Sequence, residues 1–203
     1  MMIGILETGH ANIKSLSNTI EKIGYSIKKI TTTDELTQVD KLILPGVGAF
    51  PAVIAQLNKS GMSEAIKEFS TVKPMLGICL GMQLMMESSE EHGFSKGLSL
   101  IKGTVSKLPS SLGPIPHVGW NDLLFKDDCI LMNGVLSGSN AYFVHSYHCI
   151  VQEVEKIIFT DFYGHKIVAG FQKDNIFGVQ FHPEKSQKIG DAILSNFLKY
   201  SHA

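Results

Sequence analysis

Cysteine, tryptophan and unbalanced charge are scarce in this 203-residue chain. Cys79, Cys129 and Cys149 are the only cysteines, an odd set without CxxC spacing. That excludes a disulfide framework or a cysteine zinc site and points to a reducing, cytoplasmic setting. Eighteen Lys and Arg stand against 19 Asp and Glu, for a net charge of −1. A nucleic-acid binder normally carries a basic excess, so that class is not expected. No apolar run approaches the roughly 18–20 residues that span a bilayer, so no membrane association is expected. The opening MMIGILETGHANIKSL turns polar after six positions, so no secretory leader is expected either. P-loop and GxGxxG patterns are absent, as are repeats and low-complexity segments. Neither a cofactor nor a metal is called for.

What is present is a chain long enough for a substantial core, 44% hydrophobic. Its first 85 residues alternate strand and helix. MIGIL at 2–6 reads as a buried strand. A helix follows with Ile13, Leu16, Ile20 and Ile23 on one face and Gly24 at its end. YSIKKI, DKLILPGVG and PMLGI read as further strands. A helical pattern runs on through Val53, Leu57, Met62, Ala65, Ile66 and Phe69. Such alternation predicts a mostly parallel sheet with helices on both faces. The second half holds short β-like runs: GTVSKLP, HVGWNDLLF, YFVHSYHCIV, KIIFTDFYG, KIVAGFQ and NIFGVQFHPE. A helix with Ile189, Ala192, Ile193, Phe197 and Tyr200 closes the chain. No linker separates the halves. One α/β domain over 1–203 is expected, its sheet gaining antiparallel strands in the second half.

Three segments carry chemistry. Gly77-Ile78-Cys79-Leu80-Gly81 has glycines two before and two after a cysteine, the spacing of a nucleophile elbow. Cys79 would sit at a sharp strand-to-helix turn, where free N–H groups favour an anion. The Leu80 N–H would face an oxyanion. A buried structural cysteine beside two ordinary glycines fits the pentapeptide equally well. QFHPEKS supplies a base. Pro183 keeps His182 extended, and residues two apart in an extended segment share a side. Glu184 would then orient the His182 imidazole. Taken alone, an ordinary His-Pro-Glu loop is the simpler reading. His145 and His148 are rival bases, but neither has a carboxylate at comparable spacing; His145 reads as structural or interfacial. Pro45-Gly46-Val47-Gly48 ends the strand KLIL at the carboxyl edge of the sheet, where open α/β sheets place their sites. Its backbone could offer a second oxyanion donor, or it could be a plain turn.

Together these segments resemble the class I (triad) glutamine amidotransferases. The elbow GICLGMQ, the turn PGVG and FHPE occur in that family's order and spacing. Within it, LPGVGAF, GICLGMQL, PHVGWN, YFVHSY and GVQFHPEKS, spread over residues 44–186, are nearest the glutaminase subunits of imidazole glycerol phosphate synthases. The N-terminal LETGHANIKSL departs from the commoner D-Y-G-x-G-N. Glu7 stands for aspartate and His10 for a cysteine found in one variant, while Asn12 is kept.

The resemblance implies a flavodoxin-like amidotransferase fold and a glutaminase. Cys79 would attack glutamine, with His182 as base and Glu184 as its orienter. Backbone N–H groups of Val47 and Leu80 would hold the oxyanion. Gly48, Gln83, Ser146 and Tyr147 would bind L-glutamine. Trp120, Tyr142, Lys185 and Asn12 would face a HisF-type (β/α)8-barrel cyclase in a heterodimer. Trp120 has the alternative of a core aromatic. The PGVG peptide would be misoriented until that partner binds. The cyclase would use the ammonia to convert PRFAR into imidazole glycerol phosphate and AICAR, in histidine biosynthesis. Three alternatives share parts of this pattern. One is a glutaminase serving another synthase, including a HisF-like one of surface-polysaccharide synthesis. The others are an elbow-fold hydrolase of esters or peptides, and a catalytically dead binding subunit.

Overall fold

A computed structural model describes residues 1–9, 13–126, 129–154 and 156–201. The first half runs β1 (Met2–Leu6), α1 (Ile13–Ile23), β2 (Ser26–Ile30), α2 (Thr33–Leu36), β3 (Lys41–Leu44), α3 (Phe50–Lys59), α4 (Met62–Ser70), β4 (Met75–Ile78) and α5 (Leu80–Leu84). The second half runs β5 (Ser88–Ser89), β6 (Ser95–Lys96), β7 (Gly103–Lys107), β8 (His117–Leu123), β9 (Ser139–His145), β10 (Tyr147–Val151), β11 (Lys156–Phe162), β12 (His165–Lys173), β13 (Ile176–Val179) and α6 (Gln187–Lys199).

β3, β4 and β13 are buried along their whole length. Strands covered on both faces read as continuous apolar runs, and these form the middle of a seven-stranded sheet ordered β11-β12-β13-β4-β3-β1-β2. From β13 to β2 all pairs are parallel. Alternate residues feed two cores. Ile3, Ile5, Ile43 and Ile78 pack with Ile20 of α1 and Phe197 of α6 on one side. Leu42, Leu44 and Met75 pack with Phe50, Ile66 and Leu84 on the other. This is the layered α/β arrangement expected from the alternating pattern. Among the described residues, no helix is long and apolar enough to cross a membrane.

Two expectations need correction. The helical pattern from Val53 to Phe69 is two helices, because Gly61 takes a φ of 74° and breaks it. YFVHSYHCIV is two strands that part at Ser146. Among the described residues β9 pairs with β8 alone, whereas β10 joins a separate sheet ordered β10-β7-β5-β6. As expected, the second half extends the central sheet antiparallel, through β11 and β12. An apolar run records burial, not which partner a strand meets, so the sequence did not distinguish one sheet from three.

Lys41 is a buried charge with a structural task. Its ammonium donates to the carbonyls of Phe197, Leu198 and Tyr200 at 2.5–2.8 Å. It thereby adds a charged donor to the carbonyls at the end of α6 and complements that helix's dipole. Lys41→Met removes three charge-assisted hydrogen bonds from the end of α6, at a cost of about 3 kcal/mol. The expected result is a melting temperature lower by roughly 6–12 °C. Thermal unfolding within a degree of wild type would contradict it.

Candidate active site

Cys79 occupies the turn between β4 and α5 with φ 52° and ψ −109°. Such a conformation is costly for a residue with a Cβ and is held by its surroundings. Its N–H donates to Val179 O at 2.7 Å, tying the turn to β13. The flanking glycines are required by space. A Cβ on Gly81 would lie 1.8 Å from Leu44 O, and one on Gly77 would lie 2.6 Å from Met82 N. The 45–48 turn presses on the same point, since a Cβ on Gly46 would lie 2.3 Å from Leu80 N. The elbow expected from the sequence is therefore present, opening a helix of five residues.

His182 is extended, with φ −101° and ψ 97°. Its N–H donates to Tyr142 O. Its ring Nδ1 lies 2.8 Å from Glu184 Oε1. A carboxylate only accepts, so Nδ1 carries the proton and Nε2 is the basic nitrogen. That Nε2 is buried without a hydrogen-bond partner. Burial pushes the imidazole pKa down, but the adjacent Cys79 and Glu184 more than offset it, and the net shift is upward. Glu184 arrives differently from expectation. Pro183–Lys185 is a 3-10 turn, not strand, so the chain's curl rather than alternation brings the carboxylate back to Nδ1.

Cys79 and His182 border one cavity of about 400 Å³. Val47, Leu80, Gly48, Gln83, Ser146 and Tyr147 border it too. Every residue expected to hold glutamine or its oxyanion thus meets the nucleophile candidate in one place. A carboxylate-oriented imidazole beside a thiol can take the thiol proton and return it to a leaving group.

The model of the family described as Glutamine amidotransferase class-I matches residues 5–200. The chain belongs to the class-I glutamine amidotransferase family. Named imidazole glycerol phosphate synthase subunit HisH, a protein of Caldanaerobacter subterraneus subsp. tengcongensis is 46% identical over 197 residues, covering 97% of each chain. The Arabidopsis thaliana protein named imidazole glycerol phosphate synthase hisHF, chloroplastic, is 40% identical over 97% of this chain and 34% of its own length. The structure of PurLQS from Thermotoga maritima matches with a TM-score of 0.77 over 98% of both chains, at 19% identity, a likeness of fold.

The cavity also has members that sequence reasoning missed, Glu91, Pro116 and Val144, and it includes His145, which the sequence offered as a rival base or a structural residue. Glu91 follows the two-residue strand β5, too short to leave a pattern. Its Oε2 accepts from Phe50 N at 2.9 Å, holding the start of α3. His145 is not a rival base, because its Nε2 is engaged by His117 at 3.0 Å. Tyr147 O accepts from both Gln83 Nε2 and His145 Nδ1. Both lone pairs of that carbonyl are used, so it has no acceptor left to offer a ligand.

The outer face of the β8–β9 ribbon carries two of the residues expected at a partner interface, Trp120 and Tyr142. Trp120 pairs with Tyr142 and Val118 with Val144 across the ribbon. Trp120 is 48% exposed, which rules out the core-aromatic alternative. Its ring meets Tyr142 edge-on at 6.0 Å, and Lys185 Nζ lies 5.5 Å over the Tyr142 ring. Asn12 and His10 lie outside the described residues.

The contact of Gly46 with the elbow yields a prediction. Gly46→Ala pushes the 45–48 turn off Leu80 N, since the clash is with backbone that cannot swing away. A displacement of about 1 Å costs about 100-fold in kcat. Glutaminase assay of the amidotransferase–cyclase complex checks this, and wild-type turnover would contradict it.

Proposed function

We propose that this chain is the glutaminase subunit of an imidazole glycerol phosphate synthase. It hydrolyses L-glutamine to glutamate and ammonia and passes the ammonia to a HisF-type (β/α)8-barrel cyclase in a heterodimer. The cyclase uses it to make imidazole glycerol phosphate and AICAR from PRFAR in histidine biosynthesis. The reading assigns residues 1–203 to one amidotransferase domain acting in the cytoplasm.

One observation carries the chemistry. His182 Nε2 is unpartnered beside Cys79 while Nδ1 is held by Glu184. In this reading His182 takes the Sγ proton and the sulfur attacks the side-chain carbonyl of glutamine. Backbone N–H groups of Val47 and Leu80 receive the oxyanion. His182 gives its proton to the departing nitrogen, leaving a γ-glutamyl thioester and ammonia. Water, activated by the same imidazole, releases glutamate and restores the thiol. Gly48, Gln83 and Ser146 position the substrate, with Tyr147 at the same wall. The Glu91 carboxylate is the cavity's acidic group and suits the substrate's α-ammonium. The exposed Trp120, Tyr142, Lys185 and Val118 face supports a docking role for the ribbon, and Asn12 is assigned to the same interface. The name of the Arabidopsis protein, hisHF, supports the pairing. Its test is reconstitution. The chain mixed with a HisF-type cyclase should elute as a one-to-one complex that converts PRFAR with glutamine as nitrogen source. A complex that turns over with ammonium but not with glutamine would defeat the proposal.

A further inference from the structure

The residue before Phe181 in the QFHPE segment is Gln180, fully buried. Its side chain reaches two of the cavity residues. Gln180 Nε2 lies 3.5 Å from Cys79 Sγ, and Gln180 Oε1 lies 3.1 Å from Gln83 Nε2.

The orientation of both amides follows from one carbonyl. Tyr147 O can only accept, so the Gln83 atom 3.0 Å from it is the nitrogen. The Gln180 atom facing that nitrogen must then be oxygen. What remains for the sulfur is the Gln180 N–H. A second run of bonds ends on the same carbonyl. His145 Nδ1 must donate to Tyr147 O at 2.8 Å, so its Nε2 accepts from His117 Nδ1 at 3.0 Å. His117 Nε2 in turn accepts from Asn121 Nδ2 at 3.3 Å. Burial pushes both imidazole pKa values down, His145 to about 3, so both rings are neutral and each has one donor and one acceptor. Two runs of hydrogen bonds therefore meet at Tyr147 O: one comes from β8 through His117 and His145 and ends there, while the Gln83 amide donates both to that carbonyl and to Gln180, whose own amide ends in a donor on sulfur.

We propose that Gln180 is a further catalytic residue of this site: its amide donates a hydrogen bond to the Cys79 sulfur and stabilises the thiolate that attacks glutamine. A neutral thiol is a weak acceptor, whereas a hydrogen bond to an anion is roughly twice as strong as one between neutral groups. The bond therefore favours the charged sulfur over the uncharged one. The proposal rests on the reading of Cys79 as nucleophile. Other titratable groups also face the sulfur. His182, backed by Glu184, comes from the 182–185 turn, and Cys149 from β10. His145 and Glu91 border the same cavity.

The test is iodoacetamide alkylation of Cys79 in the full chain, followed across pH by mass spectrometry, for wild type, Gln180→Leu and Gln180→Glu. The midpoint belongs to the Cys79–His182 pair. Gln180→Leu is expected to raise it by about one pH unit, a tenfold loss of thiolate below the midpoint. Because a more basic thiolate attacks faster, the alkylation rate at fixed pH falls by only about threefold. Gln180→Glu keeps the volume and the acceptor for Gln83 but puts a carboxylate beside the sulfur, and should raise the midpoint further. Thermal unfolding identifies any variant that fails to fold, and the Glu variant keeps the test open if the Leu variant does. A wild-type midpoint in the folded variants overturns the role of Gln180. Glutamine turnover that survives complete alkylation of Cys79 in the wild-type complex instead overturns the nucleophile reading, whatever the midpoints show.

Discussion

Cys79→Ala is expected to abolish glutamine-dependent turnover of the synthase complex while leaving ammonia-dependent turnover at the wild-type level. The substitution removes the only group that can form a thioester at the elbow. Loss of a nucleophile from a working triad costs on the order of 10⁶ in kcat, so residual activity should fall below detection. The fold should survive. Cys79 is buried at the edge of the cavity, and alanine keeps its backbone ties, the N–H to Val179 O and the carbonyl that accepts from Gln83 N. Ammonia enters the reaction at the cyclase, downstream of the sulfur, so free ammonium bypasses the lesion. Steady-state assays with each nitrogen source separate the two routes. Equal loss of both activities would mean that Cys79 supports the complex and not glutamine hydrolysis.

A second large effect concerns the partner. Glutaminase turnover of the isolated chain should rise at least ~100-fold when the cyclase and its ligand are added, the scale of restoring one oxyanion-hole donor. The physical basis lies in the 45–48 turn. Reorienting the Gly46–Val47 peptide changes ψ of Gly46 and φ of Val47 together. Gly46 lacks the Cβ that would resist such a rotation. Val47 is 39% exposed, so its side chain can follow. Gly48, at φ 126°, absorbs the chain direction beyond. A turn so loosely held on its outer side can be biased by a neighbour, while its inner side stays pressed on Leu80 N. Full glutaminase activity in the lone chain would refute gating through this turn.

Much of the site was legible because its parts are local. The elbow announces itself through Gly77 and Gly81, and the close approaches to Met82 N and Leu44 O show why no other residue fits there. His182 and Glu184 are two residues apart, so any compact path between them allows contact. The sequence pointed to the right pair through the wrong geometry, an extended segment where the chain forms a 3-10 turn. Gln180, His117 and Glu91 were not legible. A buried glutamine, a histidine in a strand and a glutamate in a hairpin have no local signature. Their meaning comes from atoms 28 to 101 residues away in the chain.

The sequence by itself determined the parallel α/β layer, the amidotransferase segments and the identity of the Cys79, His182 and Glu184 constellation. Burial on both faces demands apolar runs, and a strained turn demands glycines, so both leave marks in the order of residues. Only the tertiary structure decided that β9 and β10 part at Ser146 into different sheets. It alone placed Trp120 outside the core and aimed the Gln180 amide at sulfur. Strand partnership and hydrogen-bond polarity are set by contacts between distant segments, and a one-dimensional pattern does not record them.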